Sequence, residues 1–98
     1  MTRREHLLTI LGEEAGEVIK ETAKALRFGE GEVLRDMIHN PDRLSNRQRI
    51  VREFFDLLAI AKMLGIYEPA DDWRITAKIA RVEDYLQYSH ALGKLEDA

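Results

Sequence analysis

Apolar residues recur at three- and four-residue spacing through the long segments of this chain, which is the repeat of an α-helix. No stretch alternates apolar and polar residues with the period of two that is typical of a β-strand. Gly29 and Gly31, the turn HNPD at 39–42 and the segment GIYEPADD at 65–72 interrupt the pattern. The sequence therefore predicts an all-α fold, a small bundle of four helices over residues 3–28, 31–38, 46–64 and 71–89.

Two capping signals indicate where helices begin. Thr2 and Glu5 have the spacing of a capping box, and Ser45 and Gln48 have the same spacing. In such a box the first side chain accepts a hydrogen bond from the backbone at the third helical position. Helices should therefore begin near residues 3 and 46.

The composition limits the classes of protein to which the chain can belong. With 98 residues, it predicts one domain over residues 1–98. A net charge of −3 argues against a general nucleic-acid binder, which usually carries a basic excess, so no stable nucleic-acid partner is expected. The absence of cysteine excludes disulfides and thiolate metal sites. No signal peptide or membrane-length apolar run is visible, which predicts a cytoplasmic protein without a membrane partner.

Four carboxylates lie close to the apolar faces of two predicted helices. Stepping each helix by about 100° per residue places Glu14 at the edge of its apolar stripe and Glu17 slightly further round. Glu53 falls inside the apolar arc of its own helix, and Asp56 lies about one step outside it. The predicted buried faces consist of Leu7, Leu11, Ala15, Val18, Thr22 and Ala25 in the first helix, and of Ile50, Phe54, Leu57, Ala61 and Leu64 in the third.

Carboxylates at a buried seam need compensation, because an ionised group costs several kcal/mol to bury. A divalent cation supplies the opposite charge and uses the oxygens as ligands. No glutamate has a histidine three residues later, as di-iron bundles require, so an all-oxygen site favours Mg²⁺, with Mn²⁺ as a substitute. Carboxylate-held Mg²⁺ commonly carries substrate phosphates, which suggests phosphoryl chemistry. An E-E-x-x-E run also occurs on solvated helix surfaces, and the pattern alone leaves that alternative open.

The two acidic motifs resemble those of a known family. Glu13-Glu14-Ala15-Gly16-Glu17 on one helix and Glu53-Phe54-Phe55-Asp56 on another are similar to the signature of the MazG-like all-α nucleoside triphosphate pyrophosphohydrolases. The similarity covers most of residues 7–90. It implies Mg²⁺-dependent hydrolysis of a nucleoside triphosphate between the α- and β-phosphates. The short chain resembles the compact, phage-type members that act on deoxynucleotides, which favours a purine substrate such as dGTP and, for a phage protein, the host cytoplasm.

The resemblance also implies roles for individual residues. Glu14, Glu17, Glu53 and Asp56 correspond to the metal ligands of the family. Glu13 and Glu17 are the implied catalytic residues, with Glu13 beside the metal ligands or orienting water, and the choice of general base stays open. Compact members assemble as homodimers or homotetramers, so a second copy of the chain is an implied partner.

Basic residues are expected to balance the charge of a triphosphate. Lys24 lies on the flank of Glu17, and Lys78 and Arg81 share one flank of the last helix, so these three are the candidate substrate-binding residues. Each is equally consistent with a solvated basic face, as is the run Arg43, Arg47, Arg49 and Arg52. The competing hypothesis is a non-catalytic helical interaction module, which would bind a partner through its amphipathic helices.

Overall fold

The computed structural model describes residues 1–96 and contains three α-helices, α1 (Arg3–Phe28), α2 (Asn46–Met63) and α3 (Asp72–Ala91). A short 3₁₀ helix, Pro69–Asp71, precedes α3. Over these residues the only β-type pairing is one isolated bridge between Val33 and Ser45, so the all-α prediction is confirmed. The chain forms two compact units, Met1–Tyr67 and the part that begins at Glu68. None of the helices described is long and apolar enough to cross a membrane.

Both predicted helix starts are present. The Thr2 hydroxyl accepts a hydrogen bond from the Glu5 backbone N–H at 3.1 Å. At α2 the Ser45 hydroxyl accepts from the Gln48 backbone N–H at 3.1 Å, and the Gln48 side chain accepts from the Ser45 backbone at 2.9 Å. These contacts satisfy N–H groups that have no partner within the first turn of a helix, which fixes where α1 and α2 begin.

The predicted short helix at 31–38 is wrong, so the part of the chain that the structure describes has three α-helices rather than a bundle of four. A buried asparagine organises this segment instead. Asn40 donates from Nδ2 to the carbonyls of Leu34 and Leu44, at 2.9 and 3.0 Å, and its Oδ1 accepts from the Leu44 backbone N–H at 3.0 Å. Asp36 accepts from the Ile38 backbone N–H in the same way. Such side-chain bonds compete with helical ones, which is why Asn and Asp favour turns.

Replacing Asn40 by alanine is expected to lower the free energy of unfolding by about 1–3 kcal/mol, because it leaves buried backbone groups without partners. Urea denaturation measures the change. Asp42→Ala, at an exposed position of the same segment, is the matched control and should change stability by less than about 0.5 kcal/mol. Equal stability of the two variants would show that the Asn40 network does not hold the segment.

Helices α1 and α2 pack as an antiparallel hairpin in the first unit. Three polar contacts join them along their length, one at each end and one between. They are Arg4 Nη1 to Leu64 O at 3.3 Å, Arg49 Nη2 to Glu21 Oε1 at 3.2 Å, and Asn46 Nδ2 to the carbonyl of Gly29, just beyond α1, at 2.8 Å.

The predicted apolar faces are only partly buried. Leu7 and Leu64 are the buried apolar residues among those described, and the other predicted core positions of α1 and α2 are mostly half-buried. Phe54 and Thr22 were predicted to be buried, but both are exposed, Phe54 to 49%. Within the first unit each helix has one helical neighbour, and one neighbour covers only part of an apolar stripe. The apolar stripe of α3 is also exposed, at Ile75, Ile79, Val82 and Leu86.

Candidate metal centre

Three carboxylates meet at the contact between α1 and α2. Glu14 on α1 and Glu53 and Asp56 on α2 each offer an oxygen, and these oxygens lie within 4.8 Å of one another. The two α2 residues share a face because they are three positions apart. Glu14 and Glu53 are half-buried, and Asp56 is exposed. The arrangement brings together three of the four predicted metal ligands.

Glu53 is the carboxylate of the cluster whose surroundings disfavour the ionised form. Its side chain is 12% exposed, and this burial is the main reason that the pKa of Glu53 is raised. The negative charges of Asp56, Glu17 and Glu14 raise its pKa further, whereas Arg52, whose Nε lies 3.5 Å from Glu53 Oε1, lowers it. A divalent ion would remove this repulsion and accept oxygen ligands, so Glu14, Glu53 and Asp56 could hold a metal ion. The donor set fits Mg²⁺ or Mn²⁺.

The raised pKa of Glu53 predicts a pH dependence of stability without metal. Protonated Glu53 favours the folded state, so its contribution is complete below the unfolded-state pKa, near 4.5, and is lost as pH rises through the higher folded-state pKa. In EDTA, the wild-type protein should therefore lose stability relative to Glu53→Gln as pH rises from about 4 to 7. Added Mg²⁺ should restore the stability of the wild-type protein at pH 7 and have little effect on it at pH 4. Parallel pH profiles for the two proteins would contradict this assignment.

The other predicted residues of α1 lie around this cluster. Glu17 lies outside the three-carboxylate group, and its Oε2 is 3.9 Å from Lys20 Nζ, although its charge acts on the pKa of Glu53. Glu13 is exposed to solvent. Lys24 Nζ lies 3.6 Å from Glu21 Oε1, so its charge already faces a carboxylate. The roles predicted for these three residues stay predictions.

The two predicted phosphate contacts of α3 belong to the second unit. Lys78 and Arg81 lie three residues apart on α3, on neighbouring positions of one helix face. Both side chains are exposed. Their proposed contact with a substrate stays a prediction.

A buried ion pair beside the cluster was missed by the sequence analysis. Glu21 is 1% exposed and Arg49 is 4% exposed. Arg49 faces the carboxylate with two nitrogens, Nε at 3.1 Å from Oε2 and Nη2 at 3.2 Å from Oε1. Glu21 lies one turn after Glu17 on α1, and Arg49 lies one turn before Glu53 on α2. The ion pair therefore fixes the two helices immediately beside the carboxylates.

The only signal for this pair was the position of its members. Glu21 follows Glu14 by seven residues, which places both on the same side of α1. Arg49 precedes Glu53 by four residues, which does the same on α2. Glu21 and Arg49 have opposite charges and lie on the helix sides that carry Glu14 and Glu53, which indicates a contact between the helices.

The chain was compared with protein-family models, with characterised proteins and with solved structures. None of the three comparisons found a match.

Proposed function

We propose that this protein is a divalent-metal-dependent nucleoside triphosphate pyrophosphohydrolase of the MazG-like kind. The observation that supports the proposal is the meeting of Glu14, Glu53 and Asp56 within 4.8 Å across the α1–α2 contact. These residues come from the same E-E-x-x-E and E-x-x-D motifs that resemble the family signature. The substrate is a cytoplasmic deoxynucleoside triphosphate, with preference for a purine such as dGTP.

The metal ligands in this proposal are Glu14, Glu53 and Asp56, joined by Glu17. When held by these residues, Mg²⁺ or Mn²⁺ would supply positive charge to the phosphates and would make a water molecule more acidic. The Glu53 side chain is largely buried and has three acidic neighbours, and both features favour a cation at this part of the α1–α2 contact. Asp56 is exposed, so the cluster is open to solvent and to a substrate on that side.

The proposed hydrolysis needs a proton acceptor and positive charge near the phosphates. The oxygen of a water molecule attacks phosphorus, the bridging bond between the α- and β-phosphates breaks, and the monophosphate and pyrophosphate separate. A carboxylate, Glu17 or Glu13, accepts the proton of the attacking water. Lys24 is the candidate of the first unit that neutralises the triphosphate, and it would have to exchange its contact with Glu21 for a phosphate oxygen. Lys78 and Arg81 stay candidates from the sequence alone.

The products of hydrolysis test the proposal directly. The protein is incubated with each common NTP and dNTP and Mg²⁺, and the phosphate products are separated. Monophosphate with pyrophosphate, lost on adding EDTA, is the expected result. Diphosphate with orthophosphate would show that a different bond breaks. No turnover with either Mg²⁺ or Mn²⁺ would favour the alternative, a non-catalytic helical interaction module, for which the metal should also leave the melting temperature unchanged.

We further propose that the protein assembles as a homodimer or homotetramer. The support is the exposure of large apolar side chains on both helices of the first unit, notably Ile19 at 71% and Phe55 at 59%. Monomeric proteins rarely expose large contiguous apolar surfaces, and a second copy is the partner that the family resemblance implies. Light scattering after size-exclusion chromatography gives the stoichiometry, and a monomer at micromolar concentration would refute this assembly.

A further inference from the structure

A cavity of about 460 Å³, open to solvent on one side, lies between the second half of α1 and the first turn of α2. Aliphatic groups form most of its wall, and two polar side chains, Thr22 and Glu30, complete it. Its lining residues are Thr22, Ala25, Leu26, Gly29, Glu30 and Ile50. The cavity lies entirely within the first unit and belongs to none of the groups assigned above to the metal or the phosphates.

The cavity and the carboxylates both lie along the contact between α1 and α2. On α2, Ile50 precedes Glu53 by three residues, about 4.5 Å along the helix axis. On α1, Thr22 follows Glu14 by eight residues, about 12 Å. The cavity is therefore displaced from the carboxylates toward the C-terminal end of α1. The buried Glu21–Arg49 ion pair adjoins it, because Glu21 directly precedes Thr22 on α1 and Arg49 directly precedes Ile50 on α2. A ligand anchored at the cluster by its phosphates would have to pass over the buried Glu21–Arg49 ion pair to place its base in this space.

The backbone around the cavity is held in place. Asn46 Nδ2 donates to the carbonyl of Gly29 at 2.8 Å, and the Arg47 backbone N–H donates to the carbonyl of Glu30 at 2.9 Å. The Glu30 carboxylate itself receives Arg47 Nη1 at 3.3 Å. The Glu30 backbone is thereby held at the rim of the cavity, and its largely exposed side chain carries carboxylate oxygens that accept hydrogen bonds.

Resting on the function proposed above, we infer that this cavity binds the base of the nucleotide and that Glu30 selects guanine. Aliphatic walls suit the faces of a flat heterocycle, as in most small-molecule sites. An ionised carboxylate at the rim favours a base that presents hydrogen-bond donors. Guanine offers its exocyclic amino group together with the neighbouring ring N–H, so both carboxylate oxygens can be satisfied by one base.

The exocyclic amino group provides a sharp test, because hypoxanthine lacks it and is otherwise the same base. The wild-type protein should hydrolyse dGTP with a kcat/KM about tenfold or more above that for dITP. In Glu30→Ala this ratio should fall to about 1, through loss of dGTP activity, while Glu68→Ala, at an exposed glutamate of the second unit, keeps the wild-type ratio. An active Glu30→Ala enzyme with an unchanged ratio would overturn the assignment of Glu30 and leave the proposed hydrolysis standing.

A second variant tests the cavity itself. Ala25→Leu narrows the space and should raise the KM for dGTP about tenfold while leaving the affinity for Mn²⁺ unchanged. An unchanged KM would overturn the cavity as the base site.

NMR titration of the metal-free protein with deoxyguanosine tests base binding independently of the proposed hydrolysis. If no nucleotide is hydrolysed, chemical-shift changes at Thr22 and Ile50 that disappear in Ala25→Leu would still support a base site. The absence of such changes in the wild-type protein would overturn it.

Discussion

Glu53→Gln should lose nucleotide hydrolysis by a factor of at least about 100 while the fold remains intact. The substitution removes a charged ligand from the centre of the cluster but keeps the size and shape of the side chain. In EDTA the variant should melt at the same temperature as the wild-type protein or higher, because it removes a charge that is disfavoured by burial and by Asp56, Glu17 and Glu14. Product separation and thermal melting measure the two effects.

Glu83→Gln is the matched control for this prediction, since Glu83 is exposed on α3 and lies in the second unit. It should retain wild-type activity and show the same stabilisation by Mg²⁺. Full activity of Glu53→Gln would remove Glu53 from the ligand set. A lower melting temperature in EDTA would show instead that ionised Glu53 stabilises the fold, contrary to its raised pKa.

Arg49→Ala should lower the free energy of unfolding by about 3–5 kcal/mol, which is a large part of the stability of a small domain. The reason is that Glu21, 1% exposed, would keep a buried charge without its main partner. Lys24, 3.6 Å from Glu21 Oε1, compensates only part of that loss because its side chain is itself partly exposed. Urea denaturation followed by circular dichroism measures the change.

Two further variants separate burial from charge pairing. Arg47→Ala removes an exposed arginine that pairs with Glu30 at 3.3 Å and should cost no more than about 1 kcal/mol. The double variant Glu21→Met/Arg49→Leu replaces both charges by apolar groups and should recover most of the stability lost in Arg49→Ala. If Arg47→Ala and Arg49→Ala destabilised the protein equally, burial would not determine how much an ion pair contributes to stability.

Much of the helical structure could be predicted from local sequence. The starts of α1 and α2 depend on contacts within four residues, Thr2 to Glu5 and Ser45 to Gln48, and such contacts are visible in the sequence. The segment 31–38 was assigned wrongly because its conformation depends on the side chain of Asn40, which binds the carbonyls of Leu34 and Leu44 on either side of it. Helical spacing does not reveal which backbone groups a buried amide will capture.

The candidate site was also only partly predictable from helical spacing. Helical spacing gives the direction of Glu14 about α1 and of Glu53 and Asp56 about α2, and these directions predicted a shared site but were equally compatible with a solvated surface. Arg49 was assigned only to a basic run that also fits a solvated face, and its contact with Glu21 was not predicted, because spacing describes each helix about its own axis. Their contact spans 28 positions of sequence and depends on how α1 and α2 are aligned.

The three polar contacts along the hairpin also determine how far one helix can slide against the other. They lie at different levels, Arg4 with Leu64, Glu21 with Arg49 and Asn46 with Gly29. Slippage by one helical turn, about 5.4 Å, would separate every donor from its acceptor at once, so the alternative alignments lose all three contacts together. The axial positions of the two acidic motifs are thus set by contacts within the hairpin itself, independently of any metal ion.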